Sequence, residues 1–241
     1  MTESHTTKAF DSDLQDLVRM LAEMGGLAER QIANAVDALV KRDTALAQRI
    51  ADADSAIDTL QREIEEKAVL TIARRQPMAV DLREIVGALR VANDLERIGD
   101  LAKNIAKRVI ALSSEFPPPK LIRGVEHMAD LVLGQLKSVL DSFVQREIGK
   151  AMAVWRADEE IDAMTTSVFR ELLTYMMEDP RNITFCIHLL FCAKNIERMG
   201  DHATNIAETV HYMIEGKPIA DKRPKGDDTT AFAALRAASD R

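Results

Sequence analysis

The sequence is short of residues that interrupt helices. It holds ten glycines and seven prolines in 241 residues, together about 7% against a usual sum of about 12%. Aromatic residues are only 4%, so the turn-rich, aromatic and β-branched composition of a strand-built fold is missing. There are two cysteines, Cys186 and Cys192, in one apolar segment. They read as a pair of buried reduced thiols, not as a disulfide framework. No apolar run approaches the 18 residues of a membrane span, and residues 1–8 lack the apolar stretch of a signal peptide. A cytoplasmic chain is expected. Basic charge is also in deficit: 32 Lys and Arg face 39 Asp and Glu, a net charge of −7. A general nucleic-acid binder carries the opposite balance, so no nucleic-acid partner is expected.

What remains is 46% hydrophobic and 29% charged, and rich in Ala, Leu, Met, Glu, Arg and Lys, which are good helix formers. Leu14, Leu17, Val18, Leu21, Ala28, Ile32, Ala35, Val36 and Leu39 follow the spacing of one helix face. This predicts a first helix from Asp11 to Lys41, with Gly25–Gly26 either bending it or admitting a close neighbour. A second helix is predicted over about Thr44–Arg75. A third opens at Asp81, where Asp81 and Glu84 have capping-box spacing, and runs to about Leu112. Pro117–Pro118–Pro119 break the chain. Three more helices follow over about Leu121–Arg146, Ile148–Met177 and, from the Asp179–Pro180 start signal, to near Gly216.

The expected fold is therefore all-α: two tandem antiparallel three-helix bundles, over 10–114 and 120–216, related by an internal repeat. Residues 1–9 read as a flexible N-terminus. Residues 217–241 read as a polar, disordered tail with a weak helix over Thr230–Ala238.

The repeat is the strongest signal. Glu96-Arg-Ile-Gly-Asp-Leu-Ala-Lys-Asn-Ile-Ala106 matches Glu197-Arg-Met-Gly-Asp-His-Ala-Thr-Asn-Ile-Ala207 at eight of eleven positions, at an offset of 101 residues. Chance does not give that agreement. A weaker echo lies on the second helix of each set, as Asp54-x-x-x-Asp58 and Asp158-x-x-x-Asp162. Residues i and i+4 share a helix face, so Glu96/Asp100, Glu197/Asp201 and the two Asp pairs make four acidic pairs. Counted from the turn at 179–180, Asp162 and Glu197 are each about 17 residues away, and Asp158 and Asp201 about 21. At about 1.5 Å per residue, each pair lies at one height on neighbouring helices. In the first copy, Asp58 and Asp100 fall level, and Asp54 lies nearer Asn104.

Crowded carboxylates repel unless compensated. Arg or Lys, such as Arg97, Arg198 and Lys103, can pair with them, or a hard cation can sit among their oxygens. Gly99 and Gly200, mid-helix at a cost of about 1 kcal/mol against Ala, point to a close approach at the same level in both copies. It is either a plain helix crossing or a metal site.

The doubled Glu-Arg-Ile/Met-Gly-Asp motif, with Asn104 and Asn205 beyond it, resembles the PhoU family. So do Met24-Gly25-Gly26, Arg75-Gln76-Pro77 with Asp81-Leu82-Arg83, Tyr175-Met176-Met177-Glu178-Asp179 and Phe191-Cys192-Ala193. The resemblance covers about residues 10–215. It implies two tandem three-helix bundles and a negative regulator of the phosphate-starvation response and of phosphate uptake. It implies two partners, the transporter ATPase PstB and the sensor histidine kinase PhoR, with membrane contact only through them. Long amphipathic helices also suit a homodimer or higher oligomer. The resemblance also implies metal at Glu96, Asp100, Glu197, Asp201, Asp54, Asp58, Asp158 and Asp162. Mg²⁺, Mn²⁺, iron or zinc is the expected ion, with no organic cofactor.

No phosphate-cradling loop or nucleophile elbow is present, and no enzyme is expected. The competing reading is a di-metal carboxylate enzyme on a helical bundle, which needs two Glu-x-x-His motifs. The chain holds one, Glu208-x-x-His211. His188 and His202 have no counterparts in the other copy and read as structural or exposed.

Overall fold

The first apolar stripe becomes one face of helix α1 (Thr2–Lys41), where Leu17, Leu21, Ala28, Ile32, Ala35 and Leu39 are buried. The computed structural model describes residues 2–52, 55–112, 119–221 and 223, with side chains from residue 10 onward except at Pro119. After α1 come α2 (Thr44–Asp52), α3 (Ser55–Arg75), α4 (Val80–Ala111), α5 (Pro119–Gln145), α6 (Ile148–Glu178), a 3₁₀ turn (Pro180–Asn182) and α7 (Ile183–Glu215). No strand occurs among the described residues.

The expected six helices in two sets of three are present, with four local differences. Helix α1 starts earlier than Asp11 and takes in residues 2–9. The second helix is described as two segments, α2 and α3, on either side of residues 53–54, which lie outside the described residues. Asp81 and Glu84 do not form a capping box. The residue before α4 is Ala79, held at φ 43° with no side-chain cap, so Asp81 already sits inside the helix. Asp179 does cap as expected, but onto the 3₁₀ turn, its carboxylate accepting from Arg181 N at 3.0 Å. The proposed helix at Thr230–Ala238 lies outside the described residues.

Short turns at Arg42 and Arg146, both at positive φ, reverse the chain between the first and second helices of each set. The packing then follows a simple order. Helices α1 and α4 of the first set pack against α5 and α7 of the second, through α1 on α5 and α4 on α7. Helix α3 packs on α1 and α4, and α6 on α5 and α7. The third helices thus meet at the centre, while the second helices flank it. The buried apolar residues of both sets form one continuous core.

Glycine serves close approach here. A Cβ on Gly25 would lie 2.6 Å from Leu140 Cδ1 of α5, and α1 runs on through Gly25–Gly26 as one helix. Beyond α7, Gly216 adopts φ 75° and its N–H reaches the Tyr212 carbonyl. This left-handed cap suits glycine. It turns residues 217–221 back over α7.

Candidate functional site

The two motif glycines show why the acids sit where they do. A Cβ at Gly99 would fall 2.9 Å from Ile57 Cδ1 of α3, and one at Gly200 would fall 2.7 Å from Ile161 Cδ1 of α6. In each copy, then, the glycine lets the third helix seat an isoleucine of the second. This is the helix-crossing alternative. The close approach carries the acids of the two helices toward each other.

In the second copy the acids converge. Thr204 of α7 donates its hydroxyl proton to Asp158 Oδ1 at 3.2 Å. The Arg223 guanidinium donates from Nε to Asp158 Oδ2 at 2.7 Å and from Nη2 to Asp158 Oδ1 at 2.9 Å. The same Nη2 reaches Asp201 Oδ1 at 2.6 Å. Asp158 and Asp201 are therefore level across α6 and α7, as the count from the turn predicts. Asp158 is nearly buried, its side chain 4% exposed. Burial alone would weaken Arg223's hold on its proton, but the hydrogen bonds to Asp158 and the charges of Asp158, Asp201 and Glu208 outweigh it and raise its pKa.

One turn away, Glu197 Oε1 accepts from Lys194 Nζ at 2.7 Å, while its Oε2 is buried without a hydrogen bond. Burial pushes the Glu197 carboxyl above the ordinary glutamate range. Lys194 pulls the other way, and the Asp201 and Asp162 charges add to the rise. Asp162 thus shares the field of Glu197, as its height predicts.

In the first copy the ion pairs run along α4. Arg97 lies 3.3 Å from Glu96 Oε2 and 3.6 Å from Asp100 Oδ2. Asp58 is half-buried on α3, and Asp54 lies outside the described residues. The inner Glu and outer Asp repeat their burial. Glu96 and Glu197 are 16% and 13% exposed, Asp100 and Asp201 41% and 38%.

Among the described residues, no three His, Cys, Asp or Glu side chains converge as a metal would require. The carboxylates are suitable donors, but in the second copy two of them are engaged by Arg223. With Arg223 in place, the second-copy carboxylates do not fit a metal.

Two participants were not legible as such. Arg223 lies in the stretch read as a polar tail. Its one sequence signal is that the first copy has Lys103 where the second has Thr204. Asp94 of α4 lies 2.8 Å from His202 Nδ1 of α7 and accepts from Asn205 Nδ2 at 3.5 Å. His202 is thus partnered, and across the repeat junction. Beside it, α4 and α7 border a cleft of about 720 Å³ lined by Arg90, Asn93, Asp94, Asn205 and Tyr212, over which Pro218 and Ile219 pass. Glu208 accepts from Trp155 Nε1 at 3.1 Å, and His211 Nδ1 donates to the Lys217 carbonyl at 3.1 Å. The single Glu-x-x-His is therefore tied to local structure.

A duplicated three-helix unit with paired acids on its second and third helices defines an all-helical repeat protein. The profile described as "PhoU domain" matches it twice, over residues 21–109 and 125–210. The chain belongs to the PhoU family. It is 58% identical over 235 residues to the phosphate-specific transport system accessory protein PhoU homolog of Rhizobium meliloti (strain 1021), covering 98% of this chain and 99% of that one. It is 51% identical over 227 residues to the protein of the same name from Caulobacter vibrioides (strain NA1000 / CB15N), covering 94% and 98%. The crystal structure of PhoU from Pseudomonas aeruginosa superposes with a TM-score of 0.83 at 40% identity, over 86% of this chain and all of that one. The phosphate transport system regulatory protein PhoU from Streptococcus pneumoniae gives 0.81 at 28% identity, over 88% and all. No helix among the described residues is long and apolar enough to cross a membrane.

Proposed function

We propose that this chain is a cytoplasmic negative regulator of the phosphate-starvation response and of phosphate uptake. It acts as an adaptor between the ATPase of the phosphate transporter, PstB, and the sensor histidine kinase, PhoR. The observation that carries this reading is the near full-length match, in both directions, to relatives named as accessory proteins of the phosphate-specific transport system. The function lies in binding, and no catalytic group is assigned. The helical surface offers docking faces, and membrane contact comes only through the partners. A homodimer is the expected assembly, and light scattering would test it.

The test is capture of PhoR and PstB from the same organism by the purified full chain, with and without divalent metal. Binding to both is expected. Binding to neither under either condition overturns the reading. In cells, loss of the gene should leave phosphate-starvation genes switched on in phosphate-rich medium. Normal repression in its absence would count equally against it.

A further inference from the structure

We propose that the chain supplies its own cation to the acidic face of the second repeat. Arg223, which follows a strap over residues 216–221, fills the position between Asp158 and Asp201 that a divalent ion would otherwise take. By doing so it fastens the strap over the α4–α7 cleft.

The geometry is that of a built contact. The guanidinium meets Asp158 side-on through two nitrogens, at 2.7 and 2.9 Å, and bridges to Asp201 at 2.6 Å. Bidentate charge-assisted pairs of this kind are both strong and directional. Asp158 is nearly buried, and a buried carboxylate without a counter-charge is costly, so some cation is required there. Thr204 holds Asp158 Oδ1 in place.

The strap over residues 216–221 has three anchors. Gly216 turns the chain at φ 75°, where an added Cβ would collide with the Arg83 guanidinium. His211 Nδ1 holds the Lys217 carbonyl. Ile219 packs against the core. A group tethered so few residues beyond its anchor has an effective concentration on the order of millimolar, enough to compete with free divalent ions.

The two repeats also differ where this argument needs them to. The first carries Lys103 on its third helix, and the second carries Thr204 at that position. The second copy has no lysine at that helix position, and Arg223 stands beside its aspartates. This inference stands apart from the regulatory reading, so failure to capture a kinase or an ATPase leaves it untouched.

The experiment titrates Mn²⁺ into the full-length chain and into Arg223→Ala and Arg223→Lys, by calorimetry and equilibrium dialysis. Arg223→Ala should bind Mn²⁺ at least tenfold more tightly than the parent, and Asp201→Asn in that background should abolish the gain. Arg223→Lys, which keeps the charge but not the fork, should fall between. Equal Mn²⁺ affinity in parent and variants overturns the proposal. If Arg223→Ala does not fold, the parent chain still decides. Arginine side-chain ¹⁵N spectra should show the Arg223 Nε–H slow to exchange with solvent, and an exchange rate like that of the exposed arginines overturns the latch.

Discussion

Asp94 and His202 meet across the junction of the two repeats, with His202 Nδ1 2.8 Å from Asp94 Oδ1. The repeat alignment gives this pair its meaning. His202 replaces Leu101 of the first copy, and Asp94 stands where the second copy has Asn195. The two departures from symmetry are each other's partners.

Asp94 is 8% exposed, so its loss strips a half-buried histidine of its acceptor. Asp94→Ala should cost about 1–3 kcal/mol in urea denaturation, the penalty for leaving a buried polar group unmatched. His202→Leu, the residue of the first copy, should cost less when made together with Asp94→Asn than the two changes sum to separately. Additive losses would mean that the pair does not interact.

Gly200→Ala tests the helix crossing. Alanine is favoured by about 1 kcal/mol in a helix, but its Cβ would stand 2.7 Å from Ile161 Cδ1, and overpacking costs about 1–3 kcal/mol. A net loss of about 1 kcal/mol is expected. Ile161→Val removes the offending methyl and should recover stability in the Gly200→Ala background while costing stability alone. That reversal of sign, read by thermal melting, identifies the contact.

Glu197 sets a pH dependence. The folded chain holds its proton more tightly than the unfolded chain, mainly because the carboxyl is buried. Stability therefore falls as pH rises from the ordinary glutamate value of 4.5 through the raised folded value, and the full penalty applies above it. Glu197→Gln removes the penalty. The lost ion pair matters little, because Lys194 is 60% exposed. At pH 7 the variant should melt at a higher temperature than the parent, and the difference should vanish below pH 4.5. A lower melting temperature at pH 7 contradicts the assignment.

The thiols should be silent. Cys186 and Cys192 are both free and buried. Burial pushes Cys192 up to about 12, Arg108 pulling weakly the other way, and raises Cys186 as well. Thiol reagents at pH 8 should modify neither in the native chain and both in denaturant. Modification of Cys192 in the native protein would show that the centre of α7 opens.

Much of this was legible in the sequence, for identifiable reasons. Apolar spacing placed Leu17 through Leu39 in the core because a long helix must bury one face. Counting from the turn at Asp179 placed Asp158 beside Asp201 because helical rise is constant. The cap of α4 was not legible, although its start was. Asp81 and Glu84 have the right spacing for a cap, but the backbone turns at Ala79, and spacing carries no record of φ. Arg223 could not be found by period or motif, since it is one charge in a charged stretch. Only the missing counterpart of Lys103 hinted that the second copy draws a cation from elsewhere. Gly99 and Gly200 were seen as close approaches, but the neighbour, an isoleucine in each case, emerged only from three-dimensional packing.

Duplication has made this molecule indivisible. Because α1 lies on α5 and α4 on α7, each half uses the other as its inner wall. A fragment containing a single copy would present those faces bare to water. The whole chain should therefore absorb heat in one calorimetric transition, and a half expressed alone should aggregate or pair with another half instead of folding as a monomer.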